Sequence, residues 1–505
     1  MFIRSLYNKK TAKTYIQVVD KSSGRYRVVK SFGGSDNADK LNELKMKARQ
    51  WLDEQQGLQS FDFSNEQQEF EHFLSHINQL QLVGLELLLG RIFDQVGFNQ
   101  IQDSVFRQLV LYRVAFPGSK LKTTEYLQRY QGLSWNEDQV YRYLDKLYHH
   151  QKQKVQSISY THSKHILGED VKVVFYDVTT LYFEIDHEDE LRKTGFSKEG
   201  KHQNPQIVLG LLVSSNAYPL AYEIFEGNKF EGHTMLPVVE AFKAKFELNK
   251  LIVVAGSGLM SKTNINQLIE KGYEFILGAR LKKEPDWVKQ RLFALDLGNA
   301  ESAVIDKGGL KLVVSWSQKR AKKDAHNRQK GLKKLEKQIK SKKLTKANIN
   351  NRGYNKYLKL DGKISVEIDY QKYEEDAKWD GLKGYITNAE LSKEQIISNY
   401  KNLWHIEKAF RISKSDLKIR PIYHRLNRRI QAHICICFAA YKVYKELERQ
   451  LSIKETSITV QKAIEIAENI FQITVQAPKT GTAISKVLLL TPEQQELAAL
   501  FEFGC

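Results

Sequence analysis

Apolar and polar residues alternate with period two over residues 1–34. The runs T-Y-I-Q-V-V-D and R-Y-R-V-V-K-S-F flank K-S-S-G, which predicts a β-hairpin with a Gly-containing turn. A short helix over 36–56 follows. This small basic unit reads as a folded N-terminal cap, with DNA-backbone contact as the alternative. From 64 to 163 the period is helical throughout, and Gly and Pro fall at joints such as F-P-G-S-K. Within it, T-T-E-Y-L-Q-R-Y-Q-G-L-S-W-N-E-D-Q-V-Y-R-Y-L-D-K-L holds two helical periods broken at Gly132–Ser134, the outline of a helix-turn-helix. Two helices and a turn occur in any α domain, so DNA contact here is one of two readings.

The stretch Val171–Glu184, V-K-V-V-F-Y-D-V-T-T-L-Y-F-E, has the β-branched and aromatic composition of a buried strand. An unpaired carboxylate inside such a strand costs roughly several kcal/mol. Asp177 is therefore either a satisfied structural aspartate or a metal ligand. After it, Gln206–Val213 and Ala221–Phe225 continue an antiparallel meander. A helix over 235–246, the apolar strand of L-I-V-V-A-G-S-G-L-M, a helix over 262–271 and a strand at Tyr273–Ala279 complete the order βββαβαβ. With an acid on the first strand, this is the outline of a ribonuclease-H-like α/β core built on a mixed sheet.

Between 280 and 380 short strand-like runs, Leu310–Trp316 and Ile364–Tyr370, surround a basic block. W-D-G-L-K-G-Y-I-T-N returns to strand character. Ser392 and Gln395 then have capping-box spacing and open a helix. At 100° per residue Tyr400, Trp404, Glu407, Arg411 and Lys414 share one stripe of that helix. Ile396, Leu403, Ile406, Phe410 and Leu417 form an apolar stripe beside it, suited to packing on a sheet, and Pro421 ends or kinks the helix. A basic, apolar helix spans 426–451, and the remainder looks helical with one strand. The expected organisation is a hairpin plus helix (1–60), a helical region (61–165), the first part of the core (166–280), a basic, partly β insertion (281–380), the last core strand and helices with a further acid (381–450), and a helical C-terminal segment (451–505).

Composition sharpens this picture. The chain has 505 residues, of which 42% are hydrophobic and 27% charged, enough for a large core with appended modules. Lys+Arg is 78 against 59 for Asp+Glu, a formal net charge of +19. Such an excess favours a polyanionic partner, with nucleic acid first and an anionic membrane surface second. The charge is concentrated: Lys319–Lys346 holds thirteen Lys/Arg against Asp324 and Glu336. A solvated helix is the ordinary reading of such a block, but its density favours phosphate contact with a steep salt dependence. Cys435, Cys437 and Cys505 make neither a disulfide framework nor a zinc site, and the C-x-C pair in an apolar run reads as buried thiols. There is no signal-peptide run and no apolar stretch long enough to cross a membrane. The expectation is a reduced, cytoplasmic protein.

Nucleic-acid phosphoryl transfer commonly uses two Mg²⁺ ions about 4 Å apart. Three carboxylates can hold them, one on a central strand, one after a neighbouring strand and one from a helix across the sheet. Asp177 and Glu407 fit the first and third places. Arg411 and Lys414 suit phosphate, and Tyr400 or Trp404 could stack on a base. Trp404 reads equally as an aromatic at the edge of the core. His202, His233 and His405 read as loop or surface histidines.

With those residues in view, the sequence resembles the bacterial DDE transposases of the insertion-sequence-four superfamily. The resemblance rests on F-Y-D-V-T-T, G-N-x4-H-T, S-G-L-M-S-K-T-N and the final helix, Y-K-N-L-W-H-I-E-K-A-F-R-I-S-K, and spans nearly the whole chain. That helix is similar to the family's Y-x2-R-x3-E-x6-K signature. Tyr400, Glu407 and Lys414 stand in their places, and Leu403 replaces the arginine. The resemblance implies a nucleoid-associated enzyme that cleaves DNA at element ends and transfers strands, as a homodimer or higher multimer on DNA. It also implies metal binding by Asp177 and Glu407, with Mg²⁺ and Mn²⁺ as a substitute.

One departure stands out. The family's second acid follows the apolar strand in a context like V-V-A-D-x-G-L, where this chain has V-V-A-G-S-G-L. Gly256 offers no side-chain ligand, and Ser257 is a poor one for Mg²⁺. Rescue by Glu223 or Glu226 is a weaker option. The expectation is a protein that binds DNA and is impaired in cleavage. The competing classes are a non-catalytic DNA-binding protein on the same scaffold, which predicts no metal-dependent cutting, and another ribonuclease-H-like nuclease, which predicts cutting without preference for particular ends.

Overall fold

The computed structural model describes residues 1–22, 24–55, 71, 74–168, 172–197, 200–248, 250–259, 261–341, 343–345, 348–350, 353–361, 365–476 and 482–503. Val171, Lys342, Lys346, Ile364, Cys505 and the beginning of the expected helical stretch (64–70) lie outside them. The chain divides into two compact units, one of residues 1–80 with 473–486 and one of 81–472 with 487–505.

In the first unit, β1 (Phe2–Asn8) adds to the expected hairpin of β2 (Lys13–Asp20) and β3 (Arg27–Ser35) to give an antiparallel sheet in the order β1-β2-β3. The helix Ala38–Gln55 covers it, burying Ile16, Val18 and Ala48 between them. A strand, β4 (Ile77–Leu82), interrupts the stretch that the periodicity gave as helical throughout. Its sequence, I-N-Q-L-Q-L, is too short and polar to announce itself. The strand exists because distant strands near the C-terminus pair with it.

The second unit is built on one mixed sheet, in which every expected core strand is present. β5 (Val173–Tyr182), β6 (Gln206–Ser214) and β7 (Pro219–Glu226) form the antiparallel meander. β8 (Ile252–Ala255) and β9 (Glu274–Ala279) add parallel to β5, each reached through a helix, Met235–Phe246 and Lys262–Glu270. The order β7-β6-β5-β8-β9, with three antiparallel strands followed by two parallel ones, is the ribonuclease-H-like arrangement.

β10 (Ser302–Asp306) and β11 (Lys311–Trp316) come from the expected insertion, yet they extend this same sheet. β14 (Leu382–Thr387) joins them to β9, giving eight strands in the order β10-β11-β14-β9-β8-β5-β6-β7. The remainder of the insertion forms a small lobe. It comprises the basic helix Gln318–Lys340 and the hairpin of β12 (Leu358–Asp361) and β13 (Ser365–Ile368), around Leu335, Tyr357, Leu358 and Ile368.

Helices cover both faces of the large sheet. On one face Val174, Tyr176 and Val178 pack with the two crossover helices. On the other, Phe175 and Leu181 join the larger core, in which the long helix Asn427–Ile453, buried along most of its length, packs against β7 and Ser104–Ala115. Cys435 and Cys437 are buried in it as free thiols, and burial raises both thiol pKa values. β6 is buried at every position, and a Cβ on Gly210 would collide with the Tyr176 hydroxyl. Near the C-terminus β15 (Phe471–Gln476) and β16 (Ala483–Leu488) complete a three-stranded sheet, in the order β16-β15-β4, where one strand was expected.

Candidate active site

Asp177 lies on β5 one residue beyond the last paired position with β8, Tyr176 against Ala255. Gly256 is therefore the next residue on the neighbouring strand. Parallel neighbours run about 4.8 Å apart, and residues in register point to the same face. Asp177 and any side chain at 256 consequently share the face that carries Phe175 and Val254. A Cβ built on Gly256 meets only Leu403 Cδ2, at 4.0 Å, and the backbone there is not in the left-handed region. Nothing in the packing requires glycine at this position.

The turn after β8 is held from its backbone. Arg280 donates from Nε to the Ser257 carbonyl (3.0 Å) and from Nη2 to the Gly258 carbonyl (3.3 Å). Glu231, from the G-N-K-F-E-G-H-T loop, places Oε2 3.6 Å from where a Cβ on Gly258 would stand.

The expected signature helix is two helices. Ser392 and Gln395 make both hydrogen bonds of the capping box and start Lys393–Lys401. The chain then turns at Asn402–Leu403, and a second helix runs Trp404–Ser415, against β5 and β6. It ends before Pro421, so the proline neither ends nor kinks it. The apolar stripe packs as expected: Ile396, Ile406, Phe410 and Leu417 are buried and Leu403 is partly so.

The break separates Tyr400 from the stripe. Tyr400 is 8% exposed, packs edge-on against Tyr385 with ring centroids 4.8 Å apart, and holds its hydroxyl over Gly278, where a Cβ would collide with it. Burial pushes that hydroxyl's pKa up to about 12, with Tyr385 and the carboxylates of Glu407 and Asp177 adding to the shift. The tyrosine thus sits within the electrostatic reach of both acids, but packed into the protein. Glu407 and Arg411 are exposed. Trp404 is 49% exposed, beside His405, with Lys408 Nζ 5.9 Å from its ring centroid. Lys414 is ten residues on, about 15 Å along the axis. It lines a separate cleft of about 450 Å³ with Arg192, Arg420 and Arg425.

The other sequence candidates fall elsewhere. Glu223 and Glu226 are on β7, with β5 and β6 between them and β8. Three strand spacings put them about 14 Å from Gly256, too far to replace a ligand there. His202 accepts a hydrogen bond from the Ser197 amide (3.2 Å) in its own loop, and His233 is an exposed loop residue beside Phe230. The helix-turn-helix outline is present as Lys120–Gln131 and Glu137–Lys146 around Gly132. The second helix begins with Glu137 and Asp138, which oppose a phosphate at that end, and its Asp145 pairs with Arg428 and Arg429.

The structure adds residues that the sequence reading passed over. Lys383, on β14, lies with its Nζ 4.6 Å from the Tyr400 ring centroid and 5.5 Å from that of Tyr385. Burial and then Arg320 lower its pKa, while Glu407 opposes that shift. Only its position in a strand heading toward the acids could have signalled it.

The site as it stands does not fit a two-metal centre. Asp177 and Glu407 are present, Gly256 is not a ligand, and among the described residues no group of three or more His, Cys, Asp or Glu is placed to hold a metal ion. Among the described residues no helix is long and apolar enough to cross a membrane.

A family model described as a transposase DDE domain matches residues 170–442, more than half of the chain. The match begins just before β5 and ends within the long buried helix. No curated protein matches the sequence. Among solved structures, a piggyBac transposase synaptic complex with hairpin DNA is similar at 10% identity and a TM-score of 0.38, over 77% of this chain and 80% of that one. From the family match, the chain belongs to the DDE transposases, DNA-cleaving and DNA-joining enzymes that use divalent metal ions.

Proposed function

We propose that this protein is the transposase of a bacterial insertion sequence of the insertion-sequence-four superfamily, and that its cleavage step is disabled by Gly256. In this reading it acts in the cytoplasm on nucleoid DNA, as a homodimer or higher multimer at the element's ends. Asp177 and Glu407 are the first and third acids, and Gly256 occupies the place of the second. Arg411 and Lys414 bind phosphate and Trp404 meets a base. Tyr400 contributes from beneath, through the position of its hydroxyl. The observation that carries the proposal is the register of β5 and β8, which puts residue 256 beside Asp177, on the same face and with room for a side chain.

The test is cleavage of linear DNA carrying the candidate ends, with and without Mg²⁺, by the parent and by Gly256→Asp. Cutting by the aspartate variant alone supports the assignment. Cutting by the parent means that another group completes the site. A second reading, a non-catalytic DNA-binding protein on the same scaffold, draws on the same glycine together with the intact basic helix. It gains if both proteins bind the ends and neither cuts.

A further inference from the structure

Leu403 brings no charge to the signature position where the resemblance implies an arginine. It spends its side chain on packing, within reach of Gly256. A cation is nevertheless present beside Glu407, and it comes from another element. Lys383 leaves β14 with its ammonium over the Tyr400 and Tyr385 rings, 4.6 and 5.5 Å from their centroids. Lys383 lines a cleft of about 800 Å³ between the ends of β9 and β14 and the basic helix.

Seven cationic side chains line that cleft: Arg280, Lys282, Lys283, Arg320, Arg328, Lys356 and Lys383. They face three acids. All three acids already have partners. Asp376 takes Lys282, Lys356 and the Tyr357 hydroxyl, and Asp380 takes Arg328. Asp324 lies 3.5 Å from Arg320 and accepts the Gly381 amide. Among the described residues Lys383 has no ion pair, and Arg280 bonds only to neutral carbonyls of the turn that contains Ser257 and Gly258. The partly buried ammonium of Lys383 is held by the two tyrosine rings and the nearby charge of Glu407 rather than by an ion pair, so its hydrogen-bonding capacity is left for a ligand in the cleft. The surplus charge borders the turn after β8 on one side and Glu407 on the other, so its natural counter-ion is a strand running past the acids.

We propose that Lys383, with Arg280 and Arg320, forms a binding site for a DNA backbone phosphate, and that Lys383 supplies the positive charge that Leu403 does not. The choice of DNA as ligand rests on the transposase reading. Lys383 is a substrate-positioning residue contributed by β14.

The experiment measures binding of the full chain to a short linear duplex of mixed sequence, by fluorescence anisotropy across a salt series. Parent, Lys383→Met and Lys383→Arg are compared, each with its thermal midpoint. Methionine keeps the apolar stem and removes the charge. The expected result is severalfold weaker binding at low salt for Lys383→Met and a log–log salt slope shallower by about one, as for one lost phosphate contact. Lys383→Arg is expected to restore both, with no change in the thermal midpoint. If the parent binds with a steep salt slope and Lys383→Met matches it, the phosphate site is wrong while the transposase reading stands. If the parent shows no salt-sensitive binding, that reading fails and takes the site with it. If Lys383→Met loses thermal stability, Arg320→Gln on the half-exposed helix face decides the matter, and an unchanged slope there overturns the proposal.

Discussion

β5 and β8 are adjacent parallel strands that bury the same kinds of residue and deliver their next residues side by side. β5 delivers Asp177 and β8 delivers Gly256. The apolar residues of β8 are all buried, and the turn beyond it is held through backbone carbonyls by Arg280. No part of that support depends on the side chain at 256. The comparison teaches that placing a strand and arming its end are separable: β8 keeps its place in the sheet without any side chain at 256.

The strongest way to break the comparison is to make the two strand ends alike. Gly256→Asp is expected to raise Mg²⁺-dependent cleavage of end-bearing DNA by more than the ~10–100-fold typical of losing an outer-shell metal partner. A gel-based cutting assay checks this. Asp177→Asn in that background should return activity to the parent's level.

The next prediction contrasts residues adjacent in sequence on the helix facing those strands. Ile406 is fully buried, so Ile406→Ala should cost about 2–5 kcal/mol of unfolding free energy by chemical denaturation. Glu407→Gln, one residue on and exposed, should stay within about 0.5 kcal/mol of the parent. A large loss at Glu407 would mean that the acid is structural.

Acid sensitivity should lie away from both strand ends. Burial lowers the pKa of His162 from 6.5 to about 4, assisted by Lys442, Arg449 and His165 and opposed by Glu446. The unfolded chain takes up this proton near 6.5 and the folded chain does not until about 4. The contribution is therefore intact above pH 6.5 and is lost as pH falls toward 4. The thermal midpoint should fall across that window in the parent, and His162→Asn should flatten the fall.

The smallest effect separates metal binding from catalysis. Gly256→Asp crowds a third carboxylate near Asp177 and Glu407, lowering stability modestly in chelator. Mg²⁺ should raise the variant's thermal midpoint and leave the parent's unchanged, since only a state-selective ligand stabilises. A midpoint shift in the parent would show a metal site built without residue 256.

Much of this was legible because the signals are local. Ser392 and Gln395 sit at capping-box spacing, and the expected bonds form. The βββαβαβ order was readable because each core strand is apolar and bounded by turn residues. What failed to show depended on distant partners. β4 owes its existence to strands near the other end of the chain, and β10 and β11 belong to the core sheet because β14 returns to meet them. A helical stripe drawn through Tyr400 assumed a continuous helix, and the turn at Asn402–Leu403 moved that ring into the interior.

Local patterning was enough for the succession of core strands and helices along the chain, the apolar faces, the positions of Asp177 and Glu407 and the glycine between them, since all of these are encoded by residues adjacent in the chain. Assembly of the sheet was needed to place residue 256 in register with Asp177, to set Glu223 and Glu226 on a strand with two others between it and β8, and to bring Lys383 near Glu407. Those relations are set by strand pairing and by the packing of elements that are not adjacent in the chain. Such distances exist only once the sheet has assembled.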